Sequence, residues 1–296
     1  MAELESNPPA SETRAARIAA ERKFIGLMDR RSFLNSSLAA ASTSALAPGQ
    51  NTAVAQPSAS SGPREYYELR RYQLRSGPQP KLVEKYMAES LIPGLNKLGL
   101  KPIGAFTLTL GPQTPAFYLL IPSASLDLLA NAESRLAQDD EYMRTGAPFL
   151  AASAKEPAYE RLESSLMIAF EGWPKLVVPP VTAQNGKRIY QLRTYESPSS
   201  KAHRTKVKMF HSGEFEIFRK AGFWQVFFGD TLIGPRLPNL TYMLSYPDLG
   251  ELNAKWDAFF SNPEWKKLSA SPEFNYEATV SNVTNLILTP TSYSQI

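Results

Sequence analysis

A chain of 296 residues has room for one large domain or two small ones, and its 43% hydrophobic content supports a packed core. Basic and acidic side chains number 32 and 28; with no dense Lys/Arg stripe, zinc-finger spacing or RNP-like strand, nucleic acid is not an expected partner. The absence of cysteine excludes disulfides, thiolate metal sites and a cysteine nucleophile.

Residues 1–63 differ in composition from the rest and read as an export signal with a flexible linker. A polar, alanine-rich start leads to Arg30-Arg31-Ser32-Phe33-Leu34, then to a mildly apolar stretch from Leu38 to Leu46 and a small-x-small site at Ala53-Val54-Ala55. This order resembles a twin-arginine signal peptide, with Arg30, Arg31, Phe33 and Leu34 as its key residues. The resemblance implies the twin-arginine translocation machinery as a partner and a periplasmic or otherwise exported destination in a bacterium. The apolar stretch is too short and polar for a stable transmembrane anchor.

The remaining chain is written twice. Glu68-Leu69-Arg70-Arg71-Tyr72 returns 123 residues later as Gln191-Leu192-Arg193-Thr194-Tyr195. In the first half, 64–172, strands are predicted over Tyr66–Leu74, Ile103–Leu110, Ala116–Ile121 and Tyr159–Phe170. Helices are predicted over Leu82–Leu98, with a kink at Pro93, and over Ser123–Met143. Trp173–Gly186 supplies a proline-bearing linker across 173–186. The second half, 187–296, repeats the order. Its strands are Ile189–Tyr195, Phe223–Phe228, Leu240–Tyr246 and Thr279–Leu288; its helices are Lys201–Lys220 and Leu249–Phe260, with a short turn over Pro263–Leu268. Each half is therefore a β-α-β-β-α-β unit of α+β class, with two helices on one sheet face. The other face needs a cover, and two such sheets can cover each other. A pseudodimeric α/β barrel or sandwich is expected, and homo-oligomerisation remains open.

Tyr67-Glu68-Leu69-Arg70-Arg71-Tyr72 and Ile189-Tyr190-Gln191-Leu192-Arg193-Thr194-Tyr195 resemble the opening strands of NIPSNAP family proteins. Phe223-Trp224, and Trp256-Asp257-Ala258-Phe259-Phe260 ahead of Pro263-Glu264-Trp265, are similar to later parts of that domain. The resemblance implies tandem ferredoxin-like units with the dimeric α/β-barrel fold. That fold also hosts small monooxygenases, haem-degrading enzymes and proteins without known activity, and the family supplies no settled catalytic pattern. Arg71 stands opposite Thr194, and the first half has no counterpart tryptophan to Trp256, so a strictly symmetric site is not expected.

Strand alternation puts Glu68, Arg70 and Tyr72 on one face, and Gln191, Arg193 and Tyr195 on the corresponding face of the second copy. Taking Leu69 and Leu192 as helix-facing core turns the two polar triplets toward the space between the sheets. There Arg193 could clamp a small carbonyl or carboxylate, Tyr195 could orient it, and Glu68 could act as base. The favoured reading of these residues is a structural network in which Glu68 pairs with an arginine and the tyrosines satisfy the remaining groups, ahead of ligand contact. The leading reading is an exported NIPSNAP-like protein of unassigned activity, with a binding or assembly role, such as holding a small apolar carbonyl or carboxylate between the sheets, ahead of catalysis. A cofactor-independent monooxygenase or isomerase-like enzyme is one alternative, and a structural or protein-interaction module is the other.

No metal site or cofactor is expected. His203 and His211, eight residues apart, lie about 80° apart around a helix and cannot share one metal. Haem with His211 as axial ligand is the remaining alternative. Phe223, Trp224, Phe227, Phe228, Trp256, Phe259, Phe260 and Trp265 are expected to fill core, and Asp139-Asp140-Glu141 to form a solvated charge run.

Overall fold

The structure, a computed structural model, describes residues 62–296 apart from Leu110 and Pro112. The export motif at Arg30, Arg31, Phe33 and Leu34 lies outside the described residues.

The first half contains strands β1 (Tyr66–Gln73), β2 (Gly104–Leu108), β3 (Ala116–Ser123) and β4 (Arg161–Ala169). The second contains β5 (Ile189–Glu196), β6 (Trp224–Ile233), β7 (Asn239–Tyr246) and β8 (Asn282–Pro290). They close into one barrel in the order β1-β3-β2-β8-β5-β7-β6-β4, with every pairing antiparallel. Each half contributes four adjacent strands. The seams are β2 with β8 and β4 with β6, so each half's last strand pairs with the other half's second strand. Closure leaves no free strand edge, which answers the need of each open sheet for a partner.

Helices α1 (Pro78–Tyr86) and α2 (Ile92–Lys97) join through a π-helical turn, Met87–Leu91. The second half repeats this with α5 (Ser200–Met209), a π-helical turn at Phe210–Glu214, and α6 (Phe215–Lys220). Pro93 falls in the first turn of α2, where the helix tolerates its missing N–H, so the expected interruption becomes a junction. The expected single helix from Ser123 to Met143 is instead two, α3 (Leu126–Leu136) and α4 (Asp140–Leu150). Asp139 starts the second by accepting a hydrogen bond from the Tyr142 N–H, so this acid is a cap as well as part of a charge run. Their counterparts are α7 (Leu249–Ser261) and α8 (Pro263–Ser269), followed by α9 (Tyr276–Thr279).

Strands β3, β5 and β7 bury both faces. Tyr67, Phe106, Tyr118, Leu120, Met167, Tyr190, Leu192, Phe227 and Met243 come from both halves and fill the barrel interior, with Leu69 packed against them. The opposite face of β1 and β3 meets the helices through Tyr72, Phe117, Leu119 and Ile121. In the second half Tyr195, Tyr242, Leu244 and Tyr246 do the same, against Phe210, Phe218, Trp256 and Phe259. Among the described residues no helix is long and apolar enough to cross a membrane.

Candidate functional site

These two layers reverse the expected facing of the polar triplets. Leu69 and Leu192 point into the barrel, while Tyr72 and Tyr195 belong to the helix-facing clusters. Glu68, Arg70, Gln191 and Arg193 share the faces of those tyrosines by strand alternation. The physical reason is that alternation identifies two faces but does not say which is inside when both are buried. A sealed barrel lumen favours apolar side chains; the sheet–helix layer lies nearer solvent and accommodates polar groups.

The first-half triplet is matched in hydrogen bonds, with two carboxylates on one guanidinium. Arg70 donates from Nε and Nη2 to the two Glu68 carboxylate oxygens at 2.7 and 2.9 Å, and from Nη1 to Glu133 on α3 at 2.5 Å. Glu68 also accepts from the Ser164 hydroxyl. Burial pushes the Tyr72 phenol up to about 12, despite the neighbouring Arg70 charge. Glu68 is thereby occupied in holding Arg70.

The second-half triplet is not matched. Arg193 is 4% exposed and donates from Nε and Nη2 to the Tyr195 hydroxyl at 3.3 and 3.0 Å. Its Nη1 is buried without a hydrogen-bond partner among the described residues. Glu68 does pair with an arginine, but with Arg70 of its own strand, so it is not a partner of Arg193. Tyr195 shares a hydrogen bond with Tyr242, and Gln191 Oε1 accepts from the Tyr246 hydroxyl and the Trp256 indole N–H. The guanidinium lies 4.8 Å from the Trp256 ring centre and 5.3 Å from that of Tyr195. Burial opposes the Arg193 charge, but the Tyr195 and Tyr242 oxygens outweigh it and hold the pKa above its ordinary value. Burial drives the Tyr242 and Tyr246 phenols well above their usual range, so both are neutral near pH 7.

Beside this group lies a buried ion pair, Lys206 on α5 and Glu214 in the π-helical turn, 2.8 Å apart with side chains 2% and 3% exposed. Lys206 Nζ sits 4.7 Å from the Phe210 ring centre and 5.4 Å from that of Tyr195. Burial raises the Glu214 pKa, while Lys206 and then Arg193 pull it back. Gly213, in the same turn, has φ 134°, a conformation that favours glycine.

The internal repeat provides a control for each of these residues. The 123-residue offset extends from β1 and β5 through both π-helical turns to β3 and β7, where Arg70 faces Leu119 and Arg193 faces Tyr242. At that offset Lys206 and Glu214 stand where the first half has Val83 and Leu91, both fully buried. Gln191 replaces Glu68, Trp256 replaces Glu133, and Tyr242 replaces Leu119. The same scaffold thus folds around an apolar pair, and the second half has neither of the two carboxylates that bind the repeated guanidinium. The 123-residue offset, carried beyond the strand motif, was the available sequence signal for Lys206, Glu214 and Tyr242.

The histidines have separate surroundings. His203 is buried, and its Nε2 lies 2.7 Å from Asp230 Oδ1 on β6. His211 Nδ1 meets the Val207 carbonyl oxygen, and Nε2 accepts from the Gly172 N–H, so both ring nitrogens are engaged. Among the described residues no three His, Asp or Glu side chains converge as a metal site. Phe223, Phe227, Phe228, Trp256 and Phe259 are buried core as expected, Trp224 and Trp265 pack partly buried at its edge, and Phe260 is 41% exposed.

Closed, tandem ferredoxin-like sheets under two helix layers define a pseudodimeric α/β barrel. The NIPSNAP family model matches residues 67–170 and 190–295, and the chain belongs to that family. It is similar to a NIPSNAP-like domain protein from Burkholderia xenovorans, at 23% identity over 36% of this chain and 88% of that one, with a TM-score of 0.33. A NIPSNAP family protein of unknown function from Agrobacterium tumefaciens is 17% identical over 36% and 89%, with a TM-score of 0.32. A candidate monooxygenase from Fusobacterium nucleatum is 10% identical over 77% and 92%, with a TM-score of 0.49. No curated protein matches the chain.

Proposed function

We propose that this NIPSNAP-family protein binds a small apolar carbonyl or carboxylate ligand in the sheet–helix layer of its second half. The observation that carries this reading is the buried Arg193 Nη1, which has no hydrogen-bond partner among the described residues. Leaving a charged donor buried and unpaired costs more than an ordinary hydrogen bond contributes, so such a group calls for an explanation by ligand or ordered water. Cation–π contact with Trp256 offsets part of the cost, about 2 kcal/mol when desolvated, against several for burying the charge. Tyr195, Tyr242, Tyr246 and Trp256 would supply rings and donors around the ligand. Arg70 and Tyr72 remain in the first half as a structural counterpart, with Glu68 as the in-chain carboxylate.

An isomerase-like reaction is the second reading, favoured by Glu214: a buried carboxyl with a raised pKa can exchange a proton with a ligand held by Arg193. The export reading of Arg30 and Arg31 accompanies the proposal and places the folded protein in the periplasm. The test is native mass spectrometry of the full chain purified from its host, with urea unfolding alongside. A released small molecule in the wild type that is missing from Arg193→Gln supports binding. Loss of stability in Arg193→Gln, with an unliganded mass for the wild type, removes Arg193 from any functional site.

A further inference from the structure

Resting on that reading of the second-half site, we propose that the ligand is a carboxylate of single negative charge, occupying the position that Glu133 fills in the first half. The two halves surround the same guanidinium with different charge: two carboxylates in the first, none bonded to it in the second. Arg70 and Arg193 occupy equivalent strand positions, facing Leu119 and Tyr242 in the same register. Arg70 Nη1 is bonded by Glu133, and the equivalent of Glu133 is Trp256, which has no acceptor to offer. The unpartnered atom in the second half is the same one, Nη1 of Arg193. Nε and Nη2, which bind Glu68 in the first half, are satisfied by the Tyr195 hydroxyl in the second.

The neighbouring ion pair does not correct the imbalance. Lys206 and Glu214 cancel each other, and Tyr242 and Tyr246 stay protonated near neutral pH. One guanidinium charge is left over in a buried setting. A neutral carbonyl would satisfy the donor but leave the charge, whereas a carboxylate does both and matches guanidinium geometry. The lining rings, Tyr195, Tyr242 and Trp256, suit a flat apolar body. The position is also near the surface: the Glu133 side chain is 56% exposed. In the second half Trp256 closes that approach, with the exposed Phe260 stacked on it at 5.4 Å, so the Trp256 ring is the side chain that must turn to admit the ligand.

The test compares acetate, benzoate and decanoate with the corresponding amides, at matched ionic strength, by calorimetric titration of the full chain and of Arg193→Gln and Gln191→Glu. Gln191→Glu reinstates the in-chain carboxylate that Glu68 supplies to Arg70. The expected result is binding of at least one carboxylate with its amide weaker by roughly 10- to 150-fold, the range for losing one charge-assisted hydrogen bond. Gln191→Glu should weaken the carboxylate, because its charge neutralises the guanidinium while leaving Nη1 open, as Glu68 leaves Arg70 Nη1 open to Glu133 in the first half. Equal binding of acid and amide, still dependent on Arg193, would overturn the charge assignment and leave the binding site standing. Carboxylate binding unchanged in both variants would overturn the site, as would no binding of any carboxylate together with an unliganded native mass. No carboxylate binding alongside a neutral host-derived ligand would overturn only the charge assignment.

Discussion

Replacing Lys206 and Glu214 by the residues that their own repeat uses, Val and Leu, should leave the protein as stable as the wild type or more so. Both side chains are almost fully buried at 2.8 Å, so both charges have lost their water, and attraction within one pair recovers only part of that cost. Exchange of a buried ion pair for packed apolar residues of similar volume is typically neutral or stabilising by about 1–4 kcal/mol. Val83 and Leu91, both at 0% exposure, show that the scaffold accepts this pair at the equivalent positions. Each single change strands a charge instead: Lys206→Val or Glu214→Leu alone should cost about 3–5 kcal/mol. Urea unfolding followed by circular dichroism on the four proteins gives the complete cycle, with a coupling energy from the double variant. A double variant less stable than either single one would show that the pair serves the fold. It would then no longer support a functional reading of the second half.

Two further outcomes rest on the structure and one on the sequence of the N-terminal segment. The Glu214 pKa is raised above 4.5 by burial, so its contribution favours folding fully below that value and fades as pH rises through the folded-state pKa. On acidification through that window the wild type should therefore gain stability relative to Lys206→Val/Glu214→Leu, as read by urea midpoints across pH; a relative loss would contradict the raised pKa. Residues 64–172 expressed alone should aggregate, self-associate or fold poorly, because Tyr67, Phe106 and Tyr118 lose Tyr190, Phe227 and Met243 across the lumen; a well-packed monomer by sedimentation and NMR would refute the shared core. Replacing Arg30 and Arg31 by lysine should retain the precursor in the cytoplasm of a bacterium with twin-arginine translocation, and equal periplasmic recovery would sink that route.

The element order was readable because its signals are local. Alternation in Tyr66–Gln73 and Ile189–Glu196, and turn residues such as Gly111 and Gly234, fix strands and breaks without reference to distant parts of the chain. Asp139 was legible as an acid but not as a cap, because a cap depends on where the preceding helix stops. The facing of the strands was not legible. Leu69 and Leu192 suit either a lumen or a helix layer, and only closure of the barrel decides between them. Of the site, Gln191, Arg193 and Tyr195 were visible as a repeated motif, but their contrast with Glu68 and Glu133 required the offset to be carried into the helices. Lys206 and Glu214 look like ordinary surface charges on a polar helix, and their burial emerges only when the π-helical turn draws them beneath the aromatic cluster.

The most direct measurement is a high-resolution crystal structure of the full-length protein purified from its own host, inspected at Arg193 Nη1. The account predicts non-protein density with a carboxylate within hydrogen-bond distance of Nη1, and the Trp256 ring turned to admit it. A protein carboxylate on Nη1, or a lone ordered water there beneath an unmoved Trp256, would contradict it.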